Sequence, residues 1–179
     1  MRSVVISYSF TGNNEMLASS IAKELKIDHI KIKEPKQRTN GAIAKDMLFN
    51  KIPKVEPLPE SLKDYDLILF FGPVWMGHVA SPLRAYLKYI KKNPIKYAFI
   101  SISGGADGPN PKLNSELMKR VEYKPIVLID NLIADLLPSN PKPTRKDTSN
   151  YHLNNKDIEK LTNSIMKTIE DKISILEEK

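Results

Sequence analysis

The sequence contains no cysteine, which excludes disulfide bonds, thiolate catalysis and thiolate-ligated zinc or iron–sulfur sites. Its three histidines are scattered and no acidic cluster accompanies them, so no metal site is predicted. No apolar run reaches the length of a membrane span, and the short apolar run after Arg2 does not predict a secretory signal. We therefore expect a cytoplasmic protein without membrane insertion, whose redox chemistry, if any, comes from a bound cofactor.

The chain has 179 residues, of which 41% are hydrophobic and 27% are charged, as in an ordinary globular protein. This length predicts a single domain over residues 1–179. The net charge of +7 indicates either a lysine-rich surface or an acidic partner or anionic ligand. Basic residues form no stripe interleaved with aromatics, and no nucleic-acid-binding module is recognisable, so no nucleic-acid partner is expected.

Apolar strand patterns alternate with amphipathic helical patterns along the chain. Strands are predicted at 4–8, 28–33, 67–71, 97–102 and 125–129. Helices are predicted at 13–25, 39–50, 82–90, 111–121 and 155–176, with a short extra helix at 132–137 inside a proline-containing connection over 131–154. This alternation indicates an α/β protein, specifically a three-layer α/β/α sandwich with a five-stranded parallel sheet.

Several details of these elements are specific enough to test. The continuous apolar run at 67–71 predicts a central strand, and the alternation at 28–33 predicts an edge strand. Ser81 is predicted to cap a helix that has Pro82 at its first position. The apolar faces of two helices are predicted to contain Ile43, Met47 and Leu48 in one case, and Ile158, Leu161, Ile165, Met166, Ile169 and Ile173 in the other.

The segment Ser9-Phe10-Thr11-Gly12-Asn13-Asn14 joins the first strand to the first helix. A helix N-terminus offers unpaired N–H groups and the positive end of a dipole, so this layout favours an anion site. Ser9, Thr11, Asn13 and Asn14 add side-chain donors, and the loop contains no Lys or Arg. It is not a P-loop, since Asn13 follows Gly12, and it lacks the three glycines of a dinucleotide fingerprint.

Two further loops follow the third and fourth predicted strands, where ligands of parallel sheets bind. The first, Gly72-Pro73-Val74-Trp75-Met76-Gly77, holds the only Trp of the chain, which is either a flat platform for a ligand or a plug of the sheet end. The second, 103–109, contains three glycines and either presents backbone groups to a ligand or is an ordinary turn. A phosphate cradle, an apolar platform and a backbone-lined edge together suit flavin mononucleotide (FMN).

These three loops, in this order, resemble those of the flavodoxin family, whose phosphate loop usually reads Ser/Thr-x-Thr-Gly-Asn-Thr. The resemblance implies the strand order 2-1-3-4-5 and an FMN cofactor that carries the chemistry, so that no catalytic side chain is expected. It implies a phosphate site, an isoalloxazine site and a pyrimidine-edge site at the following residues: Ser9, Phe10, Thr11, Gly12, Asn13 and Asn14; Pro73, Val74, Trp75, Met76 and Gly77; and Ser103, Gly104, Gly105 and Gly108.

The chain departs from the family at Asn14, where a hydroxyl is usual, in its basic net charge, and in having no aromatic residue between Ser103 and Pro111. Tyr123 and Tyr151 are the alternative candidates for an aromatic side chain that covers the flavin. His78 is either a proton donor or a surface residue. The lack of basic side chains in the loops predicts a low reduction potential.

Three function classes follow. The first is an electron-transfer flavodoxin that acts between redox partner proteins. The second is an FMN-dependent reductase that takes hydride from NAD(P)H and passes it to a quinone or a similar small acceptor, with the segment 131–154 as a nicotinamide site or a dimer contact. The third is a non-redox binding module. The sequence does not fix the oligomeric state.

Overall fold

Five parallel strands form the central sheet of the protein. The computed structural model describes residues 1–36 and 38–177, without the side chains of residue 40 and residues 173–177. The sheet strands are β1 (Ser3–Ser7), β2 (Asp28–Lys31), β3 (Leu67–Phe71), β6 (Lys96–Ser103) and β7 (Val127–Leu132), and a separate antiparallel pair consists of β4 (Val74–Trp75) and β5 (His78–Val79). The order β2-β1-β3-β6-β7 confirms the predicted order 2-1-3-4-5 when only the sheet strands are counted.

Helices connect the sheet strands and follow the last of them. They are α1 (Asn13–Leu25), α2 (Asn40–Leu48), α3 (Arg84–Lys92), α4 (Leu113–Val121), α5 (Arg145–Asn150) and α6 (Asn155–Glu177), with 3-10 turns at Pro59–Leu62, Ser81–Leu83 and Ile133–Leu136. The predicted bounds of α1 are confirmed, and those of α6 are confirmed to within one residue. No helix within the described residues is both long and apolar enough to cross a membrane.

The central position predicted for 67–71 is confirmed, because β3 lies between β1 and β6 and all five of its residues are buried. Successive side chains of a strand point to opposite faces of the sheet. Ile68 and Phe70 accordingly join a core cluster with Leu87 of α3 and Leu117 of α4. A second cluster on alternate sheet residues includes residues of α1 and α6 such as Leu17 and Ile165. Helices thus flank the sheet.

Some predicted details are wrong. Ser81 does not cap a helix: a 3-10 turn occupies Ser81–Leu83, α3 begins only at Arg84, and the Ser81 hydroxyl donates to Asp46 Oδ2 at 3.3 Å. Leu48 is 78% exposed, so it is not on the buried face of α2. The last sheet strand begins at Val127 rather than at 125. The place predicted for Ile173 lies outside the described side chains.

The antiparallel pair β4–β5 replaces a loop that the sequence predicted. Its two-residue turn places Met76 at φ 49° and Gly77 at φ 78°. Positive φ at both central residues is the type I′ geometry that joins antiparallel strands tightly, and Gly accepts it without strain. The hairpin therefore holds Trp75 on a strand, at the carboxyl end of β3.

His29 on the edge strand β2 predicts a pH-dependent stability. Its ring nitrogens lie 2.8 Å from Ser7 Oγ and 3.2 Å from Ser19 Oγ. Burial, followed by repulsion from Lys31, lowers the pKa of His29 below its ordinary value of 6.5. The unfolded chain therefore binds the proton first, so the free energy of unfolding decreases as the pH falls through 6.5 and levels off below the folded pKa.

Urea denaturation between about pH 8 and pH 5 measures this effect. We expect His29→Gln to flatten the pH dependence in this window, whereas His152→Gln, at an exposed position, leaves it as in the wild type. An unchanged slope in the His29 variant would contradict the prediction.

Candidate functional site

The loop between β1 and α1 is a run of unpaired backbone donors. Within the described residues, no backbone N–H of residues 9–15 donates to a protein acceptor; the first that does is that of Met16, to Gly12 O. Gly12 has φ 93°, which directs the chain into the helix without a side-chain cap. Ser9 Oγ is buried and also lacks a partner. An anion at this helix N-terminus would satisfy the free N–H groups and the buried Ser9 hydroxyl together.

The side chains of Asn13 and Asn14, predicted as ligand donors, bind the protein instead. Asn13 Nδ2 donates to Tyr151 O at 2.8 Å, and its Oδ1 accepts from Leu153 N at 3.0 Å. Asn14 Nδ2 donates to Ile102 O at 2.9 Å, and its Oδ1 accepts from Ile102 N at 3.0 Å. Both side chains are buried. They fix the loop in place, and its backbone N–H groups remain for an anion.

A cavity of about 400 Å³ joins this loop to the two other predicted loops. Its walls come from the β1–α1 loop, the β4 strand, the end of β6 and the segment after β7. The lining residues are Phe10, Thr11, Asn14, Pro73, Val74, Trp75, Ile102, Ser103, Gly104, Ile133, Thr148, Ser149 and Asn150. Loops that are far apart in sequence therefore meet at the carboxyl edge of the sheet.

A second cavity of about 520 Å³ continues from the first, with which it shares Val74, Ser103 and Gly104. The remaining lining residues are Met76, Gly77, Gly105, Asp107, Gly108, Pro109, Asn110, Pro111, Lys112 and Arg145. We call the two cavities together the cleft. Most of the predicted site residues line it. Ser9, Gly12 and Asn13 do not, and Ser9 instead borders a cavity beside Lys33 and Lys36.

Trp75 is held edge-on by two other aromatic rings. Its ring centroid is 6.1 Å from that of Tyr8 and 6.2 Å from that of Phe10, with interplanar angles of 88° and 87°. The Trp75 side chain is partly exposed and lines the cleft, so it does not simply plug the sheet end. Met76, beside it in the turn, is 79% exposed.

Asp130 on β7 holds the loop at residues 103–111, which we call the glycine loop. The sequence did not reveal this role. Its Oδ1 accepts from the hydroxyls of Ser101 and Ser103, and its Oδ2 accepts from Asn110 Nδ2 at 2.7 Å and Asn110 N at 3.4 Å. The register of β6 on β7 creates this network by pairing Ser101 with Asp130. The network holds the 103–111 loop from both ends.

Replacing Asp130 by Asn tests this role. The amide presents N–H groups where Asn110 also donates, so one end of the loop is released. We expect a loss of about 1–3 kcal/mol in the free energy of unfolding and faster amide exchange at residues 104–110. Urea denaturation and hydrogen exchange measure the two effects. Asp135→Asn, an exposed change of the same type, should change neither; equal effects in both variants would contradict the role.

Close packing requires glycine at position 105. Gly105 has φ 74°, and a Cβ added there would lie 2.6 Å from Leu132 Cβ. The loop therefore passes directly over the end of β7, and its backbone faces the cleft.

The segment 131–154 forms one wall of the cleft and contains α5, which the sequence analysis missed. Thr144 caps α5 in a reciprocal capping box with Asp147. The signal was present as Thr-x-x-Asp before the helix. Arg145 of α5 donates from Nε to Asp107 Oδ2 at 2.7 Å across the cleft mouth, where Lys112 also lies. Lys112 and Arg145, which lie outside the three predicted loops, therefore add basic side chains to the lining of the cleft, and the low reduction potential stays a prediction.

Neither tyrosine suggested as a cover lies over the cleft. Tyr123 packs in the core against Tyr97, and its hydroxyl donates to Ile95 O at 2.8 Å. The Tyr151 hydroxyl donates to Asp157 Oδ2 at 2.7 Å. The His78 side chain is half-exposed, and its Nδ1 is 3.3 Å from Glu116 Oε2, so it lies at the surface against this carboxyl group.

No family model matches the sequence, and no curated protein is significantly similar to it. Solved structures do resemble it. A flavoprotein from Lactobacillus acidophilus NCFM, described in complex with FMN, superposes with a TM-score of 0.59 at 21% identity over 73% of this chain and 93% of the other. A flavoprotein from Bacteroides eggerthii gives 0.62 at 14% identity, over 83% and 93% of the two chains.

The two-electron reduced flavodoxin of Megasphaera elsdenii has a TM-score of 0.50 and 15% identity, over 82% of this chain and 94% of the flavodoxin. These are likenesses of fold, and they agree with the strand order of the sheet. The protein therefore has the flavodoxin-like fold.

Proposed function

We propose that the protein binds FMN in the cleft and transfers electrons through it. The observation that carries the proposal is the run of unpaired N–H groups at residues 9–15, which opens beside a cleft walled by Trp75 and the glycine loop. A phosphate monoester satisfies the N–H groups, and a planar apolar ring suits the partly exposed face of an indole. The solved relative described with FMN supports this assignment.

In this proposal the phosphate lies at Thr11, Gly12 and the first turn of α1. The rings lie between the β4–β5 hairpin and the 103–108 loop, whose backbone groups bind the polar edge. Bound FMN would supply the redox chemistry, since it accepts and donates one or two electrons. The protein's part is to bind it, orient it and limit the access of water.

We also propose that the fold is a three-layer α/β/α sandwich, with one core cluster on each side of the sheet.

Purification with and without added FMN tests the proposal. We expect the purified protein to show flavin absorbance, or to take up FMN with quenching of the flavin fluorescence, and to bind riboflavin more weakly because riboflavin lacks the phosphate. A protein that binds neither compound would contradict the function.

An FMN-dependent NAD(P)H:quinone-type reductase is the second candidate. One observation favours it: no aromatic side chain lines the cavity beside the glycine loop among the described residues, so a face of the ligand is accessible to a second planar molecule. Oxidation of NAD(P)H by the FMN-loaded protein, with and without a quinone, decides between the two. Rapid turnover supports the reductase, and its absence supports an electron carrier that acts between redox partner proteins.

We propose that a carrier acts with a redox partner protein, and that a reductase acts with NAD(P)H and a small acceptor. A chain without cysteine is compatible with a reducing compartment, and we propose the cytoplasm.

A further inference from the structure

A separate cavity, unrelated to the cleft, lies between α3 and α4 and is lined mainly by cations. Its volume is about 200 Å³, and it shares no lining residue with the cleft. The lining residues are Asn50, Ile52, Arg84, Lys88, Lys91, Lys119 and Arg120. We call it the basic pocket. Five cations and no acidic residue line it, so an anion would be attracted to it.

Arg84 is the buried cation of the basic pocket, and the protein fixes its position. It is only 2% exposed, and its Nη1 donates to Asp46 O and Lys51 O, both at 3.1 Å. These two bonds fix the plane of the guanidinium. Nε is buried without a partner, and Nη2 has no partner within the described residues. Nε and Nη2 form the edge of a guanidinium that binds two oxygens of one oxyanion.

The charges around the basic pocket are only partly balanced. Arg120 pairs with Glu116 through Nε and donates from Nη2 to Asn50 Oδ1 at 3.0 Å. Lys91 pairs with Glu122 at 2.6 Å. Lys88 and Lys119 have no acidic partner within the described residues.

The surrounding charges and the burial of Arg84 affect the pKa of its guanidinium. Burial, followed by repulsion from Arg120, lowers the pKa of Arg84. A bound anion would oppose both causes, since it pairs the buried charge and offsets the neighbouring one.

We propose that the basic pocket binds the phosphoryl group of a small anion, held by the Nε–Nη2 edge of Arg84 and by Lys88 and Lys119. A carboxylate could occupy the Arg84 edge alone. Several converging cations instead suit a dianion with three or four oxygens. The volume is below the range of about 300–1,000 Å³ that encloses drug-sized ligands, so the ligand is compact. The proposal is independent of FMN binding.

NMR titration of the full-length, ¹⁵N-labelled protein with inorganic phosphate tests the basic pocket. The Nε–H signal of Arg84 reports this site, and the N–H signal of Gly12 reports the loop at residues 9–15, so the two anion sites are followed separately. We expect a saturable shift of the Arg84 signal. The double variant Lys88→Gln/Lys119→Gln should weaken binding there by about tenfold, because two solvent-exposed charges that attract the anion are lost.

The matched control is Lys156→Gln/Lys160→Gln, two exposed lysines of α6, which should bind phosphate at Arg84 as the wild type does. These variants avoid replacing Arg84 itself, whose buried bonds support the fold. Glycerol 3-phosphate identifies the source: tighter binding than inorganic phosphate indicates a phosphorylated metabolite, and equal binding indicates free phosphate. Either result supports a phosphoryl site.

The absence of a saturable shift at Arg84, or an equal weakening in both double variants, overturns the proposal. A shift at Arg84 without one at Gly12 would support phosphate binding in the basic pocket and contradict anion binding at residues 9–15.

Discussion

Thr11→Asp is expected to abolish most of the affinity for FMN while leaving the fold intact. Thr11 is exposed and lies within the run of unpaired N–H groups at residues 9–15. An aspartate there repels the phosphate by an energy on the order of 3 kcal/mol at the intermediate dielectric of a protein surface. This is about a hundredfold in affinity. The new carboxylate can also accept from N–H groups at the start of α1, so stability should not fall.

Fluorescence titration with FMN and, in parallel, with riboflavin measures the effect. Riboflavin lacks the phosphate, so the variant should bind it almost as the wild type does. Ser164→Asp adds the same charge at an exposed position of α6 and should affect neither ligand. If affinity for both flavins falls equally in the Thr11 variant, the phosphate does not lie at this loop.

Asn14→Ala is expected to produce the largest loss of stability among single changes in the loop at residues 9–15. The Asn14 amide pairs both the N–H and the C=O of Ile102 on β6, and all these groups are buried. Each buried backbone group left without a partner costs about 1–3 kcal/mol. Asn14→Thr, which introduces the residue usual in the resembling family, should cost less than Ala, because its hydroxyl can still bond one of the two groups although it is too short to serve both.

Urea denaturation gives these free energies. Asn163→Ala, at an exposed position of α6, is the control and should change the stability by no more than about 0.5 kcal/mol. An Asn14→Ala variant as stable as this control would mean that the two bonds to Ile102 contribute nothing.

The sequence predicted those features that depend on local pattern. The apolar run at 67–71 has no polar face, so it could only be a central strand, and the loops that follow the strands must meet at one edge of a parallel sheet. Thr11, Trp75 and Gly104 were predicted as site residues in this way, and all three line the cleft.

The features that the sequence did not reveal depend on contacts between distant segments. Asp130 lies just beyond the predicted strand at 125–129, and nothing distinguishes it until the register places it opposite Ser101. Asn14 has the composition of a ligand donor, and only the proximity of Ile102 shows that its amide is already bonded. Arg84 likewise becomes a buried cation only when the carbonyls of Asp46 and Lys51 come to it. Side-chain roles of this kind are set by tertiary structure, which no local pattern encodes.

The bonds of Asn13 have a consequence for the order in which the protein assembles. They join the start of α1 to Tyr151 and Leu153, which lie 138 and 140 residues later in the chain. Closing so long a loop is slow relative to local folding. During synthesis, residues 9–15 leave the ribosome early, but they cannot take their final shape until the residues just before α6 have emerged and docked. Any ligand that this loop binds is therefore captured only after Leu153 has been synthesised and has docked on Asn13.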